Sequence, residues 1–220
     1  MDEQIAKERS QLIRHWTIAF TTRTDWTAFS QIPKIVAIAN GAPPLLRSKN
    51  PVGDLLRSLH NELGYMAGYG GLCAGAIFRT QSFIVDPRPR IGSRQKQTVH
   101  IEHTVPICVL AAKLREQPPS DGADALAWLL KHSVATAFRK GDDKKYLKGV
   151  HRTTDAFENG GRPFMRYKRL FDDGGAVWNV FDKQRVDNHF SFTQHLCVVI
   201  RLLEHVGADK GFIRAIESRA

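Results

Sequence analysis

The sequence predicts a mixed α/β or α+β domain, a central sheet flanked by helices, carrying a helical N-terminal extension. Two observations point there. Segments whose apolar residues recur at helical spacing are interleaved with short runs that alternate apolar and polar. In addition, 42% of the 220 residues are hydrophobic, enough to build a substantial core without any membrane-length apolar run.

Residues 1–44 read as the extension, ending at "GAPP", and residues 45–220 as the main domain and candidate catalytic unit. In "NPVGDLLRSLHNELGYM", Val52, Leu55, Leu56, Leu59, Leu63 and Met66 share one helical stripe. Glu62 falls about 20° beyond that stripe's edge, at the core margin. "GYGGLCAG" breaks the helix, and "AIFRTQSFIVD" reads as one or two strands ending at Asp86. Val99, Ile101 and Val105 alternate in a strand, and Pro106 opens a helix that runs to Pro118-Pro119 with Ile107, Leu110, Ala111 and Leu114 at core spacing. A helix over "DGADALAWLLKH" leads into a strand at "SVATAFRK". Asp172 to Gly175 form a turn between two strand-like runs in "FMRYKRLFDDGGAVWNVF". The final helix presents Phe192, Leu196, Val199, Ile200 and Leu203 on one face.

Charge is the unusual feature: 32 Lys and Arg against 22 Asp and Glu give a net charge of +10. Such a field attracts polyanions, nucleic acid first among them. The densest purely basic segment is "PRPRIGSRQKQ", whose Arg88, Arg90, Arg94 and Lys96 have no acidic residue among them. A second basic run, "RPFMRYKRL", reads as a strand in which Arg166 tracks a nucleic-acid backbone and Tyr167 stacks on a base. Cys73, Cys108 and Cys197 are too scattered for a zinc knuckle or a disulfide framework, and read as small core residues in a reducing compartment. The N-terminal residues lack the pattern of a signal peptide, so a cytoplasmic location and no membrane partner are expected.

The segment with most chemical content is "VHIEHTVPIC", residues 99–108. It places three polar, chemically able side chains inside a strand. "IEHTVP" resembles the first-strand signature of the His-Asn-His, or ββα-metal, endonucleases. The resemblance implies that Glu102 ligates a divalent metal, magnesium being the natural hard cation. It also implies that His103 is the general base that activates water against a phosphodiester, with His132 as the later metal-binding histidine. The chain has no asparagine between Asn61 and Asn159, so the middle residue of that pattern has no counterpart. Period-two alternation groups His103 with Val99, Ile101 and Val105, and His100 with Glu102 and Thr104 on the opposite face.

The order of a helix with Glu62, a strand ending at Asp86 and a strand with Glu102 also resembles the core of the PD-(D/E)xK nucleases. That resemblance implies Asp86 and Glu102 as the catalytic carboxylates on magnesium, with Glu62 as a further ligand. Thr104 occupies the position of that family's lysine, which leaves Lys96 or Lys113 to supply it. Both resemblances imply a metal-dependent endonuclease of the restriction kind acting on double-stranded DNA, with palindromic cutting calling for a homodimer. The alternative is a non-catalytic nucleic-acid-binding protein in which the Glu-His strand is structural.

Overall fold

The computed structural model describes residues 76–85, 99–117, 120, 122–139, 141–150, 155–157, 161–205, 207–208 and 210–220. The proposed extension, Glu62, Asp86 and the basic segment with Arg88, Arg90, Arg94 and Lys96 lie outside them, as does Cys73.

A mixed five-stranded sheet organises the described chain, in the order β2-β3-β1-β4-β5. The strands are β1 (Phe78–Thr80), β2 (Val99–His103), β3 (Ala135–Arg139), β4 (Val177–Asn179) and β5 (Gln184–Val186). β1 runs parallel to β3, and the other neighbours are antiparallel. The helices are α1 (Gln81–Val85), α2 (Ile107–Glu116), α3 (Gly122–His132), α4 (Asp142–Leu147), α5 (Lys168–Asp172), α6 (Phe192–His205) and α7 (Lys210–Glu217). A mixed sheet with flanking helices is the architecture the sequence predicts. No helix among the described residues is long and apolar enough to cross a membrane.

Register explains how the sheet divides its side chains. Ile101, Ala137, Arg79 and Trp178 are successive Cα partners across four strands, and the adjacent row is Glu102, Thr136, Phe78 and Asn179. Because side chains alternate, the two rows face opposite ways. The Phe78 face meets the main core, where its ring packs edge-on against Phe164 at 5.2 Å and Phe190 at 5.4 Å. α6 packs on α3, and α7 packs on both. The opposite face holds a smaller cluster of Ala76, Phe83, Ala135 and Ala137 with Ile101 packed on it. There the buried Arg79 lays its guanidinium 5.0 Å from the Phe83 ring centroid.

The helix after Pro106, the helix over 122–132, the strand at 135–139 and the helix carrying Phe192 to Leu203 form as the sequence predicts, although that helix is not the last, since α7 follows it. All five expected core residues of α6 are buried. Three other expectations need correction. The run before Asp86 is strand only to Thr80 and then becomes α1. Strand pairing with β4 stops at Thr80 opposite Val177, and the Gln81 N–H bonds the Ala176 carbonyl at 2.8 Å instead. "FMRYKRLF" is not a strand but a 3₁₀ turn, Met165–Tyr167, running into α5. Its buried residues Phe164, Tyr167 and Leu170 recur every third position, the spacing of a helical face. The turn at Asp173 and Gly174 therefore joins a helix to a strand, and the hairpin lies one element later, between β4 and β5. Cys108 and Cys197 are exposed, not core: each sits one residue, about 100°, from the buried stripe of its helix.

Candidate functional site

β2 lies at one edge of the sheet among the described residues, and its alternation decides which side chains meet. Glu102 and His100, two residues apart, share the face that looks toward the 3₁₀ turn. His100 Nε2 lies 3.3 Å from Glu102 Oε2. The other carboxylate oxygen, Oε1, accepts a hydrogen bond of 2.8 Å from Arg166 Nη1, which also reaches the His103 carbonyl at 3.3 Å. The side chains of Arg166 and Glu102 are 11% and 17% exposed, whereas His100 is 42% exposed. A shielded ion pair thus backs a half-exposed imidazole.

Burial by itself would push the Glu102 carboxyl up. The His100 hydrogen bond and the adjacent Arg166 charge outweigh it and hold the group below its ordinary value near 4.5. Glu102 is therefore ionised at neutral pH. A carboxylate only accepts, so His100 Nε2 donates.

A second carboxylate approaches from α4: Asp143 Oδ2 is 3.8 Å from the same His100 nitrogen. Asp143 Oδ1 accepts from the Gly141 N–H at 3.0 Å, and its neighbour Asp142 accepts from Ser82 Oγ at 2.7 Å. The two aspartates fasten α4 to β2 on one side and to α1 on the other.

The remaining expected site residues are distributed differently. His103 belongs to the Ile101 side of β2 by alternation, directly opposite Ala135 in register, and does not point with Glu102. Tyr167 is fully buried, with its ring edge-on to Phe138 and Phe164 and its hydroxyl 3.3 Å from Thr104 Oγ1, which in turn lies 2.9 Å from Thr136 Oγ1. That ring has no open face for a base to stack on, which corrects the stacking role expected of it. Burial, and then the nearby Glu102 charge, push its phenol upward, so it stays protonated. Arg166, expected on a nucleic-acid backbone, is instead the partner of Glu102.

His132 does not fold back toward His103. Its ring lies among Trp128, Phe192 and Phe157, and its Nδ1 donates to the Trp128 carbonyl at 2.8 Å. Lys113 pairs with Glu116 on its own helix at 2.9 Å. β1, which precedes Asp86 in the chain, is not a neighbour of β2, because β3 lies between them.

Glu102 does not fit a magnesium ligand in this arrangement. Both of its oxygens face nitrogen donors, whereas a hard cation requires a cage of oxygens. Among the described residues no three His, Cys, Asp or Glu side chains converge in a way that could hold a metal.

Two of the site's pairings escape a reading of the sequence. Asp143 lies 43 residues from His100 and Arg166 lies 64 from Glu102, and no local pattern links either pair. The pairing of His100 with Glu102, by contrast, follows directly from period two. No known protein family, curated protein or solved structure matches the chain.

Proposed function

We propose that the protein is a nuclease that cleaves phosphodiester bonds in double-stranded DNA, with His100 as general base and Glu102 as the group that orients it. The observation that carries this reading is the 3.3 Å contact between a half-exposed imidazole and a carboxylate that Arg166 keeps charged and fixed. A carboxylate that accepts one imidazole N–H fixes the tautomer and makes the other ring nitrogen the basic one, the logic of His-Asp pairs in hydrolases. On this reading the His100 imidazole takes the proton from the attacking water. Glu102 stabilises the imidazolium that results. The net charge of +10 supports a polyanionic substrate.

A second reading has its own observation. Arg166 bridges the Glu102 carboxylate and the His103 carbonyl, which ties the edge strand to the 3₁₀ turn whether or not chemistry occurs there. On that reading the protein binds nucleic acid without cutting it.

Plasmid DNA and single-stranded RNA, incubated with magnesium, manganese or a chelator, separate the two. The nuclease reading expects cleavage that falls roughly 10²–10⁴-fold in His100→Ala, with melting temperature retained, and falls also in Glu102→Gln. His103→Ala should change stability and leave the rate of the folded fraction intact. Full activity in both His100→Ala and Glu102→Gln would reject the dyad, and no cleavage by the wild-type chain under any of the three conditions would leave the binding reading. Symmetric fragment ends together with a dimeric mass in solution would support a two-fold assembly on duplex DNA.

A further inference from the structure

The segment "DDKKYLKG" is nearly balanced in charge when read as a string. Folded, its charges are sorted. Asp142 and Asp143 turn inward, one to Ser82 and the other to the Gly141 N–H and His100, and both are half-buried. Lys144, Lys145 and Lys148 are exposed. Lys145 folds over its neighbour Tyr146, with its ammonium 2.9 Å from the hydroxyl and 4.5 Å from the ring centroid. Lys144 and Lys148 stand four residues apart, about one helical turn, and neither forms an ion pair among the described residues.

The α5 helix packs against α4 and adds a third cation. Within α5, Lys168 is engaged by Asp172 at 2.6 Å, while the exposed Arg169 forms no ion pair among the described residues. Arg169 follows Arg166, the residue that holds Glu102, by three positions. Lys144 is adjacent in sequence to Asp143, the second carboxylate at His100. Three exposed cations thus stand on or directly after α4 and on α5, two packed elements of which α4 also carries Asp143, the second carboxylate at His100.

We infer that Lys144, Lys148 and Arg169 form a phosphate-binding surface that seats the backbone of duplex DNA beside His100. Solvent-exposed cations without carboxylate partners are the groups that exchange condensed counterions for phosphates. Each such contact adds about 0.9 to the slope of log affinity against log salt. The inference rests on the nuclease reading above for the role of His100, but the surface itself is measurable without cleavage.

The test is fluorescence anisotropy of the full chain with a fluorescein-labelled DNA duplex across a salt series in the presence of chelator. Lys144→Ala with Lys148→Ala should lower the magnitude of the slope by about 2, and adding Arg169→Ala should bring the loss near 3. As a control, Lys210→Ala with Arg214→Ala removes two exposed charges from α7, which packs on α3 and α6, and should leave the slope close to wild type. An unchanged slope in the triple variant, or an equal loss in the control, overturns the inference. His100→Ala measured alongside keeps the two proposals apart. Loss of cleavage in His100→Ala with no slope change in the triple variant rejects the surface and keeps the dyad. A reduced slope in the triple variant with normal cleavage by His100→Ala keeps the surface and rejects the dyad.

Discussion

Replacing Arg166 by Met removes the charge that faces Glu102 while retaining most of the side chain's volume. What remains is a carboxylate only 17% exposed with His100 as its one hydrogen-bonding partner among the described residues. Exposed ion pairs contribute about 0–1 kcal/mol, and breaking a fully buried one costs about 3–5 kcal/mol because a charge is left uncompensated. With side chains 11% and 17% exposed, the expected loss is about 2–3 kcal/mol at pH 7. For a chain of this size each kcal/mol lowers the melting temperature by about 2–4 °C, so the variant should melt roughly 4–12 °C lower.

The pH dependence gives this prediction its sign. In the native protein the Glu102 carboxyl is depressed, so the pair's stabilisation is complete above the ordinary value near 4.5 and is lost as pH falls through the depressed one. In Arg166→Met burial is opposed by less, and the carboxyl takes up its proton at a higher pH. The difference between the two proteins should therefore be largest near pH 7 and shrink toward pH 4. Urea denaturation at pH 7, 5.5 and 4.5 measures it, and contributions from other titrating groups cancel in the difference. Glu102→Gln combined with Arg166→Met removes the orphaned charge and should recover half or more of the loss, a coupling of about 1–2 kcal/mol. A loss below 1 kcal/mol at pH 7, or a double variant no more stable than the single, would refute the ion pair as a strut of the site.

Two further outcomes follow from buried groups, His195 and Tyr167. His195 is buried with its Nδ1 donating to the Lys131 carbonyl at 2.8 Å, and burial lowers it from 6.5 to about 4, as it does His132. A lowered histidine binds its proton more readily when unfolded, so stability should be complete above pH 6.5 and decline on acidification toward pH 4. The His195 share is on the order of 3 kcal/mol, and His195→Gln should flatten that decline in a series of melting curves. Tyr167→Phe removes only the hydroxyl that meets Thr104 and should cost about 1 kcal/mol with DNA affinity unchanged; weakened DNA binding in a folded Tyr167→Phe would reinstate a recognition role for that side chain.

The elements legible in the sequence are those long enough for their own periodicity to decide them. α6 spans Phe192–His205 and repeats its apolar stripe over several turns, and Pro106 marks the start of α2 because its fixed φ suits a first turn. Among five-residue segments, β2 and β3 are legible as strands, whereas α1 and α5 are settled by what they touch. "FIV" in α1 has the composition of a strand, yet Phe83 enters the small cluster with Ala135 and Ala137 while Ile84 joins the main core. Tyr167 has the composition of a recognition residue, yet the three-residue spacing Phe164, Tyr167, Leu170 turns it inward.

The same distinction between local and distant information governs the site. Adjacency in "EH" directs attention to Glu102 and His103, but neighbours on a strand point to opposite faces, so the histidine that can serve Glu102 is the one two residues away. That step needs only the period of a strand. The charge state of Glu102 needs Arg166, and the sorting of "DDKKYLKG" into half-buried carboxylates and exposed ammoniums needs Ser82 and His100, all supplied by distant segments of the chain. Net charge counts each of these residues equally. Only the folded arrangement separates cations already neutralised, such as Arg166 and Lys168, from those such as Lys144, Lys148 and Arg169 that can still exchange a counterion for a phosphate.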